Sequence, residues 1–204
     1  MKRIVSILLA VLLVFCLAGC ANVTQDTHNP QGSVSRGSIK GNIYTSTSSD
    51  LTFTKPSQWR YLTDKELAHA LSISEDAISE KEFAKSLNEY PSLIDMMVMD
   101  DSTGLNMTVG YENISVTMGG VITEAEYMES MTDHLKTMGD MTVGESVTVK
   151  LSGQEYLKTT CSVEIDGILM KTDYYIRGID TFMNVITVAY TANIATPEIE
   201  KMFS

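Results

Sequence analysis

The sequence predicts an α+β domain in which an antiparallel sheet carries helices on both faces. Three observations predict it. Apolar and polar residues alternate in runs across residues 143–191, the signature of half-buried strands. Three helix starts carry the capping-box spacing. The run 182–190 is apolar at both parities, with Phe182, Ile186, Val188 and Tyr190 interleaved with Met183, Val185 and Ala189. A strand of that kind needs cover on both faces.

In chain order, residues 42–46 and 50–53 read as two short strands around Ser48-Ser49, followed by Lys55-Pro56 and Trp59. Helices follow over residues 64–71, 80–88 and 124–138. Thr63 with Glu66, Ser79 with Glu82 and Thr123 with Glu126 each place a hydroxyl three residues before a carboxylate, so each can satisfy the other's free backbone donor. Leu62 and Leu67, Ile78 and Phe83, and Ile122 and Tyr127 bracket these boxes as hydrophobic staples. On the third helix Tyr127, Met128, Met131, Leu135 and Met138 form one stripe, and Gly139 stands at the C-cap position.

Strands are expected over 93–99 and 104–113, then as a meander of four over 143–191. Ser152-Gly153 and Asp166-Gly167 are two-residue links between alternating runs, a strong hairpin signal, and residues 178–181 make a third turn. Residues 197–203 read as a short closing helix. No internal repeat is present.

The N-terminus has the organisation of an export signal. Lys2 and Arg3 precede an apolar run over residues 4–18, which is shorter than the roughly 20 residues a spanning helix needs. It ends in Leu17-Ala18-Gly19-Cys20, which resembles the lipobox of bacterial lipoproteins. The expectation is therefore a signal peptide over residues 1–19, lipid attachment at Cys20, a polar tether over 20–41 and one domain over 42–204. Localisation follows as a lipid anchor on the extracytoplasmic face of the cell membrane. Cys16 would leave with the signal and Cys20 take lipid, so Cys161 stands alone and no internal disulfide is expected. Its strand parity groups it with Leu157, Thr159, Val163 and Ile165, as a small buried hydrophobe.

The net charge of −11 becomes −13 once Lys2 and Arg3 are removed. Such a surface repels nucleic acid and anionic lipid headgroups, so no nucleic-acid partner is expected.

Tyr44, Phe53, Pro56, Trp59 and the helix opening at Glu66-Leu67 resemble the N-terminal pattern of PsbP-like lipoproteins of Gram-positive bacteria. The resemblance runs from about Gly41 to the C-terminus and includes the late four-strand run and the final helix. Thr45 and Ser46 depart from it, standing where that pattern has an asparagine near the tyrosine. The resemblance implies an α/β/α sandwich, shared with photosystem oxygen-evolving-complex subunits, a yeast Ran-binding import factor and an enterobacterial phage-entry lipoprotein. Its motif residues are structural and imply no activity.

Residues with chemical potential are dispersed. His28, His69 and His134 have no second ligand at metal spacing. Asp100-Asp101-Ser102-Thr103-Gly104 gathers oxygens that could attract calcium, but it lacks the distal Glu of a calcium loop and has the composition of a turn. Met96, Met97 and Met99 could offer thioethers to copper(I), yet alternation sends Met96 to one face and Met97 and Met99 to the other, as core filling would. No G-x-S-x-G elbow occurs, and Gly119-Gly120 is not part of a phosphate loop. Asn22-Val23-Thr24, Asn106-Met107-Thr108 and Asn113-Ile114-Ser115 match the glycosylation pattern incidentally, given the bacterial lipobox.

No catalytic residue, metal ligand or cofactor is expected. The leading expectation is a membrane-anchored, extracytoplasmic, non-catalytic module that binds a protein partner. The alternatives are an enzyme of unrecognised type and a carrier of a small molecule or of calcium or copper.

Overall fold

A computed structural model describes residues 34–120, 122–137, 139–193 and 198–204. The signal segment, Cys20, His28 and Met138 lie outside the described residues. Two antiparallel sheets dominate. The smaller joins β1 (Ser38–Lys40), β2 (Ile43–Ser46) and β3 (Leu51–Thr54) in that order. The larger has eight strands: β4 (Arg60–Tyr61), β5 (Ser92–Met99), β6 (Asn106–Asn113), β7 (Thr142–Val143), β8 (Val147–Leu151), β9 (Gln154–Ile165), β10 (Ile168–Ile179) and β11 (Phe182–Thr191). Their spatial order is β4-β5-β6-β11-β10-β9-β7, with β8 also paired to β9. The helices are α1 (Asp64–Leu71), α2 (Phe83–Glu89), the single turn α3 (Ile114–Thr117) and α4 (Glu124–Thr137), with 3-10 turns at Glu75–Ile78 and Ile199–Met202. Among the described residues, no helix is long and apolar enough to cross a membrane.

The expectation of helices on both faces of one sheet is overturned. Residues paired across antiparallel strands share a face, so Tyr175, Ile186, Val109, Val188 and Met107 lie together. They are covered by a second sheet: Tyr44, Leu51 and Phe53 from β2 and β3 enter the same core, with Ile199 and Phe203 from the C-terminal turn. This inner face is therefore sheet packed on sheet. Tyr44, Phe53, Tyr175 and Ile186 are fully buried, and each such side chain contributes roughly 1.5–3 kcal/mol. Helix α4 lies on the opposite face, where Tyr127, Met128 and Leu135 meet Cys161, Tyr174, Ile176, Met183 and Val185. A third cluster gathers α1, the turn Glu75–Ile78 and α2 around Leu93, Ile94, Met97, Tyr111 and Phe182.

Local signals act where the spacing places them. Thr63 and Glu66 form the reciprocal capping box of α1, and Thr123 and Glu126 bond in the same way at α4. The Ser79 hydroxyl meets the Glu82 N–H at 3.4 Å, but α2 begins only at Phe83. Both hairpin links have positive φ at both residues, 49° and 78° at Ser152-Gly153 and 52° and 76° at Asp166-Gly167, which is the twist a tight hairpin requires. The closing helix over 197–203 is instead the 3-10 turn Ile199–Met202. Ordered chain also extends into the stretch read as tether: Val34 is buried and β1 pairs with β2.

Candidate functional site

A group of interlocked polar side chains with partial access to solvent lies where the C-terminal turn meets the inner face. Register places Lys158 of β9 opposite Tyr175 of β10, and Thr160 opposite Asp173. The Ile199–Met202 turn brings Glu200 to them. Lys158 Nζ stands 2.7 Å from Glu200 and 3.2 Å from Asp173, and lies 5.0 Å from the centre of the Tyr175 ring. The Tyr175 hydroxyl donates to Glu200 at 2.9 Å, and the Thr160 and Tyr190 hydroxyls donate to Asp173 at 2.7 and 3.3 Å.

The electrostatics of this group lock charge states. Burial alone would lower the Lys158 pKa, but its hydrogen bond to Glu200 and the nearby carboxylates hold it above the usual lysine value. Burial pushes Glu200 up, and Lys158 and Tyr175 together overcome this and hold it below its ordinary value. Burial and the neighbouring carboxylates push the Tyr175 phenol far above its ordinary value and Tyr190 up to about 12. A general acid or base works best with a pKa near the operating pH, and these shifts run away from it. The chemistry this arrangement performs is clamping the C-terminal turn to the sheet.

A second constellation holds the N-terminal segment. Asp95 sits at the irregularity in β5 between Ile94 and Met96, and it is 1% exposed. It accepts from Tyr44 Oη at 2.6 Å and from the Gly37 N–H at 3.0 and 2.9 Å. Arg36 reaches it at 3.8 Å while making a bidentate pair with Asp64 at 2.8 and 2.6 Å. Burial raises the Asp95 carboxyl to about 6, against the opposing pull of Tyr44, Gly37 and Arg36. Its titration range is suited to proton transfer, but Tyr44 and Gly37 cover it, so it acts as an anchor.

Between these groups a buried polar seam joins the two sheets. Tyr111 Oη lies 2.7 Å from Ser46 Oγ and 3.0 Å from Ser49 Oγ, while Arg177 donates to the Ser49 carbonyl at 2.8 Å. Tyr156 donates to Asn184 at 2.7 Å, and Asn184 donates to the Gly110 carbonyl at 3.0 Å. The polar groups of this seam are partnered to one another, which fixes how one sheet sits on the other.

The residues weighed from sequence fall elsewhere. His69 and His134 are exposed in the last turns of α1 and α4. Both Asp100 carboxylate oxygens accept from Ser102 and Thr103 within their own turn, and Asp101 pairs with Arg60. Met96 and Met97 are buried in different clusters, and Met99 Sδ accepts from Arg60. Among the described residues, no group of three His, Cys, Asp or Glu side chains could hold a metal ion. Cys161 is buried with Val185 and Tyr174 on the α4 face, and burial pushes its thiol up to about 11. Lys158, Asp173, Tyr175 and Glu200 were not singled out from sequence. Lys158 and Asp173 carried only the weak signal of being charged within otherwise strand-forming runs.

No family model and no curated protein matches the sequence. Solved structures show a distant likeness, as two of them illustrate. One is a Bacteroides thetaiotaomicron protein, 12% identical, with a TM-score of 0.42 over 80% of this chain and 47% of that one. This chain thus spans about half of its length. The other is LpqN of Mycobacterium tuberculosis, described as involved in cell envelope biogenesis, also 12% identical, with a TM-score of 0.38 over 70% of each chain. Neither is described as a PsbP-like protein, and likenesses this distant carry no argument about function.

Proposed function

We propose that this chain is a lipid-anchored extracytoplasmic protein whose domain acts by binding a protein partner and not by catalysis. The order of basic residues, short apolar run and Leu17-Ala18-Gly19-Cys20 supports the anchor. The observation that carries the non-catalytic reading is the Lys158, Asp173, Tyr175 and Glu200 group. Its lysine and phenol are pushed up and Glu200 down, so this group is spent on mutual neutralisation. Such an arrangement stabilises a rigid surface, as a binding module needs, and engages these four side chains with one another. An activity screen of the full chain against ester, peptide, phosphate and glycoside substrates tests it. The expected result is no turnover above background. Reproducible turnover that disappears in Glu200→Gln, with the urea midpoint retained, would replace the reading with an enzymatic one.

A further inference from the structure

Helix α4 differs from the other long helix, α1, in how it is held. The start of α1 is fixed by the bidentate Arg36–Asp64 pair, and Arg60 reaches Glu66 in its first turn. Burial does not separate the two helices, since four of the 14 residues of α4 are buried, Tyr127, Met128, Thr132 and Leu135, against Leu67 and Ala68 among the 8 of α1. Two side-chain links tie it to the sheet: the Tyr127 hydroxyl donates to Glu112, and Glu124 accepts from the Gly178 N–H at 2.9 Å. Glycines flank it on both sides. A Cβ at Gly119, Gly120 or Gly139 would meet nothing within 4 Å, so close packing does not demand glycine there. Gly119 has φ of +72°, a conformation that glycine adopts without strain.

Beneath the helix lies an imperfection. Glu112 is 3% exposed on the α4 face of β6, opposite Met183, and its Oε1 has no hydrogen-bond partner. The Thr181 hydroxyl, two residues before Met183, is buried and unpartnered as well. A buried polar atom without a partner costs the hydration it has lost, and water regained on opening offsets the apolar contacts given up. The Glu112 cost therefore falls under α4, whose Tyr127 hydroxyl donates to the same carboxyl group.

We propose that α4 is a detachable cover on the outer face of the large sheet, hinged at its flanking glycines and kept near its opening threshold by the buried carboxyl group of Glu112. Its opening is a sub-global event that leaves the sheet intact. It uncovers Tyr174, Ile176, Met183 and Val185 together, an apolar surface with one carboxyl group at its margin. Cys161 is buried in the same cluster, with Val143 of β7 as its ladder neighbour, so its thiol reports on loss of the cover over this cluster.

The test is alkylation of the full chain by iodoacetamide along a urea series at one mildly alkaline pH, with the Cys161 peptide read by mass spectrometry and global unfolding followed by circular dichroism. Without urea, Cys161 is expected to react at least about tenfold faster than global unfolding allows, with a shallower dependence on urea. Glu112→Gln keeps an acceptor for Tyr127 and replaces the carboxyl group by an amide that cannot ionise, so Cys161 alkylation slows by about tenfold. Tyr127→Phe leaves Glu112 without that donor and speeds alkylation, at a smaller change in the global midpoint. Alkylation that follows the global curve with the same slope would overturn the proposal. So would a Glu112→Gln chain that folds and reacts as fast as the wild type, or a Tyr127→Phe chain whose alkylation is unchanged.

Discussion

Tyr44 and Asp95, 51 residues apart, meet through a 2.6 Å hydrogen bond that joins the small sheet to the irregular point of β5. Asp95 is faced by Arg36 and Gly37 from the N-terminal segment, Tyr44 from β2, Tyr111 from β6 and Asp64 from the start of α1. Its carboxyl is raised from 3.8 to about 6, so the folded state binds its proton more readily than the unfolded state does. This group's contribution to stability is complete below its unfolded pKa and is lost as pH rises through about 6. Wild-type chain should therefore gain on Asp95→Asn by about 2–3 kcal/mol as pH falls from 7 to 4. Asp64 and Glu200 are held low, and their contributions fall away in the opposite sense as pH drops through their folded values. Urea midpoints of both proteins across this range decide the matter. A difference that stays constant with pH would contradict it.

Gly37 sits against the Tyr44 ring so closely that a Cβ would stand 2.4 Å from Tyr44 Cε2 and 2.8 Å from the Thr45 carbonyl. Neither neighbour can retreat freely, because Tyr44 is fully buried and Thr45 is in a ladder. Gly37→Ala is expected to cost about 1–3 kcal/mol. It should also raise hydrogen exchange selectively at Gly37 and along β1. A stability change under about 0.5 kcal/mol would refute the crowding argument.

Legibility in the sequence followed the range of the interaction. The Thr63–Glu66 and Thr123–Glu126 boxes, the Ser152-Gly153 and Asp166-Gly167 links and the parity of Cys161 are decided within a few residues, and all are found where the spacing puts them. The two-sided apolar character of β11 correctly shows that both faces are covered, but not by what. Composition cannot tell a helix from the pair β2 and β3 laid across Ile186 and Val188. The segment from Val34 to Lys40 reads as tether because it is polar, and its order comes from backbone bonds to β2 and Asp95 that sequence does not display. Lys158 and Glu200 are 42 residues apart, with no local pattern linking them.

Lys158 neutralises two carboxylates at once, of which Asp173 is 8% exposed. Replacing it by Met keeps much of the stem that lies on Tyr175 and deletes the charge, leaving Asp173 with only the Thr160 and Tyr190 hydroxyls. The expected loss is about 2 kcal/mol, less than for a fully buried pair because Lys158 retains some exposure. Lys158→Met should also free the C-terminal turn, read as faster hydrogen exchange at Lys201 and Phe203. Glu200→Gln removes the charge while retaining an acceptor for Tyr175, and is expected to cost less. Equal losses in the two variants would contradict the central place given to Lys158.

The anchor rests on a chemical requirement that one substitution isolates. Acylation through sulfur needs the Cys20 thiol, and Ser offers a hydroxyl of similar size in the same sequence, so Cys20→Ser changes the reactive atom while sparing Leu17-Ala18-Gly19. In cells given labelled palmitate, wild-type chain is expected to carry label and to fractionate with membrane. The Cys20→Ser chain should carry none and lose membrane retention. One acyl chain holds a protein only marginally and two hold it firmly, so the redistribution should be near complete if the cysteine carries more than one. The fold should be indifferent to the change, because the core clusters are built from residues between Val34 and Phe203. A urea midpoint within about 0.5 kcal/mol of wild type is therefore expected. Label persisting in Cys20→Ser would place acylation elsewhere in the chain. A loss of label with unchanged membrane retention would mean that something other than lipid on this cysteine holds the domain, and either result would end the lipid-anchor reading.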